Sequence, residues 1–228
     1  MLFPSLKYGH IAPNDIDRGS YLDFGNNDDW AKQWGEGVFG TWAKNYPSFI
    51  KNVERGGEYA DYWKENDPLT YYCGNAYYNG NRHYRHDIRN DFFDSLKSEI
   101  DNIVSSSPRI PENIVVYRAL ADIDFWNFKK LNASRKPFVE LAPMSTSLTT
   151  TILTRKEGDP NFSVCRYVLK IYCPQGAMAT YVDEIGKYAE KLNRGENELI
   201  FPSGSKLIMI AYPYKKFGKT VFECQLVL

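Results

Sequence analysis

The chain has 228 residues, enough for one well-buried domain or one domain with a helical extension, and its 28 Lys plus Arg equal its 28 Asp plus Glu. That balance gives no support for a duplex-nucleic-acid partner, which usually shows in a basic excess, so no nucleic acid is expected. The longest apolar run, residues 207–211, is far too short to cross a bilayer, and residues 1–10 lack the basic start and long apolar stretch of a signal peptide.

Taken in chain order, residues 1–28 are rich in Gly, Asn, Pro and Asp and read as an N-terminal arm. Residues 29–46 carry Trp30, Trp34, Phe39 and Trp42 among charges and read as a helix; residues 47–63 read as a second. Tyr84, Ile88, Phe92, Leu96, Ile100 and Val104 recur every fourth residue, which predicts one amphipathic helix over 81–104, ended by Ser105-Ser106-Ser107-Pro108. Beyond residue 110 the short apolar or alternating runs at 114–117, 164–172, 198–201, 207–211 and 220–228 predict strands, with helical patterns at 121–132 and 182–192 between them. Helices first and strands later imply an α+β domain over 29–228, with a helical part at 29–105 and a β core at 106–228.

The common enzyme signatures are missing. There is no G-x-G-x-x-G, Walker loop, H-E-x-x-H or nucleophile elbow. His83 and His86 lie three apart without a third ligand type nearby, so no metal site is expected. Cys73, Cys165, Cys173 and Cys224 form no C-x-x-C pair and read as reduced, mostly buried thiols. The 17 Tyr, 13 Phe and 5 Trp suit either a core or a pocket for flat heterocycles.

Three features remain. Arg118 ends the apolar run Ile114-Val115-Val116-Tyr117, as a solvated strand end or as an anion-binding fork. Ser145-Thr146-Ser147 is a loop or edge strand. Glu196-Asn197-Glu198 leads into Leu199-Ile200-Phe201; on an extended backbone both carboxylates project from one face.

In that order, the strand arginine, Ser-Thr-Ser and the paired glutamates resemble the Arg–Ser–Glu class of ADP-ribosyltransferase toxins. Upstream, Ala31-Lys32-Gln33-Trp34-Gly35 and Trp42 are similar to the opening of actin-modifying binary toxins of the iota and vegetative insecticidal types. Tyr72, Tyr77, Asn81 and Arg85 match the spacing of a segment of that group, and residues 164–171 resemble its strand presenting a second arginine, here Arg166. The resemblance runs from about residue 31 to the C-terminus. It implies an ADP-ribosyltransferase fold, with N-terminal helices packed on a two-sheet mixed or antiparallel β core around a central NAD cleft.

The resemblance implies NAD as substrate, with no metal, and an acceptor arginine on a target protein. Glu198 would stabilise the ribosyl cation, Ser145 would hold Glu198, and Glu196 would take the acceptor proton. Arg118 and Arg166 would grip the phosphates, and Tyr72, Tyr77, Asn81, Arg85, Ala119 and Ser147 would complete the NAD site. Ala119 stands where these toxins often carry another arginine. Tyr188, the aromatic of the loop before the glutamates, lies earlier than the target-recognising aromatic typical of the binary toxins, so actin is one candidate target among others. A monomer, secreted or delivered into a host or target cell, is expected, by a leaderless route or after removal of a leader. A glycohydrolase using water, or a catalytically silent binding module, are the competing readings.

Overall fold

The structure, a computed structural model, describes residues 16–86, 88–120, 126, 128–129, 136–153, 165–183, 185, 195–216 and 218–228, without the side chains of Asn75, Tyr77 and Tyr78. Helices lead: α1 (Asp28–Asn52), α2 (Ala60–Glu65), α3 (Pro68–Tyr71), α4 (Tyr77–Arg85) and α5 (Asp91–Ser106), with a π-helical turn, Tyr72–Ala76, between α3 and α4. Strands follow as β1 (Ile114–Leu120), β2 (Phe138–Val139), β3 (Met144–Ser147), β4 (Tyr167–Cys173), β5 (Thr180–Tyr181), β6 (Glu198–Phe201), β7 (Lys206–Met209), β8 (Tyr214–Lys216) and β9 (Lys219–Val227). The α+β class expected from the sequence is the class found.

The nine strands are hydrogen-bonded in the order β2-β7-β9-β4-β1-β3-β6-β5, with β8 also on β9. Only β4 and β9 run parallel; the other pairs are antiparallel. β1 and β3 share a single registered pair, Tyr117 opposite Ser147, so the array divides there into two halves. Arg118 and the Ser145–Ser147 segment flank that narrow join.

β1 is apolar on both faces because both are covered. Ile114, Val116 and Leu120 enter the main core with Ala31 and Phe39 of α1, while Val115 and Tyr117 pack with Val168, Tyr172 and Val221 on the other side. The helices keep a core of their own around Trp63, Tyr72, Leu96 and Ile100, closed by Ile200 of β6. Burial of Arg55 against Glu99, Nε to Oε2 at 2.9 Å, ties the loop after α1 to α5. Among the four cysteines, Cys73, Cys173 and Cys224 are buried and Cys165 is half-buried, with no disulfide.

Two helix predictions fail for local reasons. The helix predicted to break near Pro47 runs through it to Asn52, since Ala43 and Tyr46 before it and Phe49 and Ile50 after it pack into the same helical core. The single helix predicted over 81–104 breaks between Arg85 and Asp91. Asn90 takes an extended conformation (φ −155°) and its side chain accepts the Phe93 N–H, so a new N-cap outcompetes continuation and leaves Ile88 exposed. The predicted helix at 121–132 is seen only at Trp126, Phe128 and Lys129, and the rest of it, like most of 182–192, lies outside the described residues.

The described part of the N-terminal arm is packed rather than loose. Leu22 bridges Ile114, Phe24 joins the main core, and Asp23 accepts from Tyr117 Oη at 2.8 Å and Lys170 Nζ at 2.8 Å. Arg18 pairs with Glu223 of β9 at 2.7 Å.

Candidate active site

Arg118 lies in β1 opposite Leu169, on the face turned away from Tyr117, and is 9% exposed. A guanidinium that deep needs a counter-charge, and Glu140, just after β2 and 1% exposed, supplies it. Arg118 Nη2 donates to Glu140 Oε2 at 2.9 Å; Arg85, at the end of α4, donates Nε to Oε1 at 2.9 Å and Nη2 to Oε2 at 3.0 Å. The Ala142 N–H adds a further donor to Oε1 at 3.2 Å. Burial alone would raise the Glu140 carboxyl, but Arg118 and Arg85 outweigh it and hold the group below its ordinary value. Two guanidiniums thus converge on one carboxylate, and guanidinium forks are suited to an anion.

Tyr72 opens the π-helical turn beside this cluster and is 1% exposed. Its hydroxyl lies 3.0 Å from Asn81 Oδ1 and 3.0 Å from the Pro143 carbonyl, so one proton is shared between helix and sheet. Burial drives its acidity down; Arg118 partly opposes this and Glu198 reinforces it, so both charges act on the same hydroxyl.

The acids stand on the other half of the sheet. β3 pairs with β6 in the register Ser145 to Ile200, Thr146 to Leu199 and Ser147 to Glu198. Ser145, Ser147 and Glu198 therefore share a face, with Ser147 directly across from Glu198 and Ser145 on the diagonal. Thr146 Oγ1 donates to the Leu199 carbonyl at 2.9 Å, and Ser147 Oγ donates to the Glu196 carbonyl at 2.6 Å. Glu198, the first residue of β6, is 9% exposed, and Glu196 is half-buried.

The premise of an extended backbone across the two glutamates does not hold. Asn197 has φ +48°, in the left-handed region, so the chain turns between them. The direction of Glu196 is then set by that turn and not by strand alternation.

Of the remaining expected residues, Asn81 and Arg85 join Tyr72 and Arg118 around Glu140 and Pro143. Ala119 pairs with Val168, and its Cβ points to the opposite face from Arg118, leaving only its backbone on that side. Arg166 is exposed just before β4, and its carbonyl accepts the Thr220 N–H at 2.9 Å. Tyr77 lies in α4 with its side chain outside the described residues, as is the whole of Tyr188. Sequence reasoning missed Glu140. The available signal was an acid directly after the apolar pair Phe138-Val139, where a charge that follows the chain inward must find a partner.

With this geometry in hand, similarity to known proteins becomes informative. Residues 31–220 match the family model described as ADP-ribosyltransferase exoenzyme. No curated protein matches the chain. Among solved structures, Plx2a, an ADP-ribosyltransferase toxin from Paenibacillus larvae, is 19% identical with a TM-score of 0.65 over 91% of this chain and 100% of its own. BECa, the ADP-ribosylating toxin of a binary enterotoxin of C. perfringens, solved with NADH, is 18% identical with a TM-score of 0.62. The match covers 91% of this chain and 50% of BECa, so the chain spans about half of that binary component. C3stau2 from S. aureus, solved with NAD, is 16% identical with a TM-score of 0.58 over 91% of this chain and 99% of its own. At such identities the structures speak to fold, while the family model covers most of the sequence. The chain belongs to the ADP-ribosyltransferase exoenzyme family.

Proposed function

We propose that this chain cleaves NAD between nicotinamide and ribose and transfers the ADP-ribose to an arginine of a target protein, acting as a toxin delivered into the target cell, with actin one candidate substrate. The bond broken joins the ribose C1′ to the nicotinamide nitrogen, and nicotinamide leaves with the bonding electrons as a neutral base. The bond formed joins C1′ to a guanidinium nitrogen of the acceptor, whose proton passes to Glu196. Glu198 stabilises the positive charge that develops on the ribose, as carboxylates do in glycoside cleavage. Ser145 and Ser147 support it from the neighbouring strand.

The Arg85–Glu140–Arg118 cluster fits a diphosphate by chemistry: its two guanidiniums are planar, permanently charged forks. Arg166 is a further phosphate contact from just before β4, and Tyr72, Tyr77, Asn81 and the Ala119 backbone wall the dinucleotide. The observation that supports the reading most is the succession of strands: β1, which carries Arg118, pairs with β3, and Ser147 of β3 lies opposite Glu198 of β6.

The test is incubation of the protein with labelled NAD, a small guanidine acceptor and a target-cell lysate, followed by mass spectrometry. ADP-ribose on arginine supports the reading and identifies the target. Free ADP-ribose without any labelled acceptor transfers the assignment to an NAD glycohydrolase. No turnover at all leaves a silent binding module on this fold.

A further inference from the structure

The turn between the two glutamates is held by an unusual set of contacts. Asn197 is the only non-glycine residue with positive φ among the described residues, and it is 3% exposed. Its side-chain Oδ1 accepts from Tyr181 Oη at 2.9 Å, and its Nδ2 lies 3.3 Å from both the carbonyl and Oδ1 of Asp28, the first residue of α1. Its backbone N–H donates to Asp183 Oδ2 at 2.6 Å, and its carbonyl accepts the Leu148 N–H at 3.0 Å. Three separate segments, residues 181–183, the start of α1 and the residue after β3, thus converge on one side chain and its peptide groups.

The Tyr181 end of this chain of contacts leads back to the Trp-Gly motif of α1. Tyr181 is fully buried, and a Cβ placed on Gly35 would meet its ring at 2.6 Å. Gly35 is therefore the residue that lets the ring lie flat against the helix, which in turn delivers the hydroxyl to Asn197. Phe39, one turn on, stacks on the same ring with centroids 6.4 Å apart.

The two glutamates depend on this device unequally. Glu198 is tied into β6, opposite Ser147, with its carbonyl accepting the Val182 N–H at 3.1 Å. Glu196 precedes the strand, so its heading follows from the left-handed turn at Asn197. We infer that Asn197 and Tyr181 are positioning residues that aim Glu196 at the acceptor, with Gly35 making room for the Tyr181 ring. The inference rests on the acceptor role proposed for Glu196. It makes the balance between transfer and hydrolysis a property of the contact between α1 and β5, not of the carboxylates alone.

The test compares N197G, N197A and Y181F with the wild type in the full chain, measuring transfer to a small guanidine acceptor and NAD hydrolysis side by side. In N197A, which disfavours the left-handed turn and removes the amide, the transfer-to-hydrolysis ratio falls about a hundredfold while the KM for NAD holds. N197G, free to keep the turn, recovers part of that ratio. Y181F loses one hydrogen bond, and its ratio falls about fivefold. Equal loss of transfer and hydrolysis in N197A, or a wild-type ratio in it, overturns the inference. A wild type that transfers nothing to guanidines marks failure of the proposed acceptor instead. A crystal structure of N197A then decides: Glu196 displaced with Glu198 in place supports the inference, and Glu196 unmoved overturns it.

Discussion

The two halves of the candidate site are held in place by different physics. The arginine side rests on charge: Arg85 and Arg118 both donate to one buried carboxylate, Glu140, to which the Ala142 N–H also donates. The acid side rests on the backbone: Glu198 is placed by strand register, and Glu196 by a turn whose peptide and amide groups are hydrogen-bonded to neutral and charged partners alike.

If that contrast is right, the two sides should break differently. The largest effect is expected at Glu140. Replacing it by Gln removes the counter-charge from two guanidiniums, one of them deeply buried, and should cost about 3 kcal/mol or more in denaturant unfolding. The same pair makes stability pH-dependent. Because the folded Glu140 carboxyl lies below its ordinary value of 4.5, its contribution is present above that value and fades as pH falls through the folded value. The stability gap between wild type and E140Q should therefore be widest at neutral pH and narrow as the pH falls below 4.5, read from urea titrations at neutral and acid pH.

A smaller change should separate binding from folding on the arginine side. Arg118→Lys keeps the charge but not the fork, and NAD affinity measured by calorimetry should weaken about tenfold with the fold intact. The least effect is expected on the far face of β1. Tyr117→Phe removes hydrogen bonds to Asp23 and should lower stability by about 1 kcal/mol without altering turnover. A loss of NAD affinity in Y117F would blur the distinction between the two faces of β1.

How much of this could be read in the sequence depends on the range of the signal. The Arg118 strand, the Ser-Thr-Ser segment and the acid pair are contiguous patterns, and the structure brings them together across the β1–β3 and β3–β6 pairings. Glu140 offered only a faint local cue, an acid after Phe138-Val139, because its partners lie 22 and 55 positions away in sequence and only the fold brings them to it. Asn197 was read as extended backbone because propensity says nothing of three segments converging on one residue. The break at Asn90 was legible in principle, as an Asn-Asp start ahead of apolar periodicity, but the four-residue apolar spacing across it was the louder pattern.

The most direct test of the account is the pair E198Q and E196Q, assayed for nicotinamide release and for ADP-ribose transfer to a guanidine acceptor. The account predicts that E198Q loses both activities, while E196Q loses transfer and still releases nicotinamide. Nicotinamide release at the wild-type rate by E198Q, or equal loss of both activities in the two variants, would contradict it.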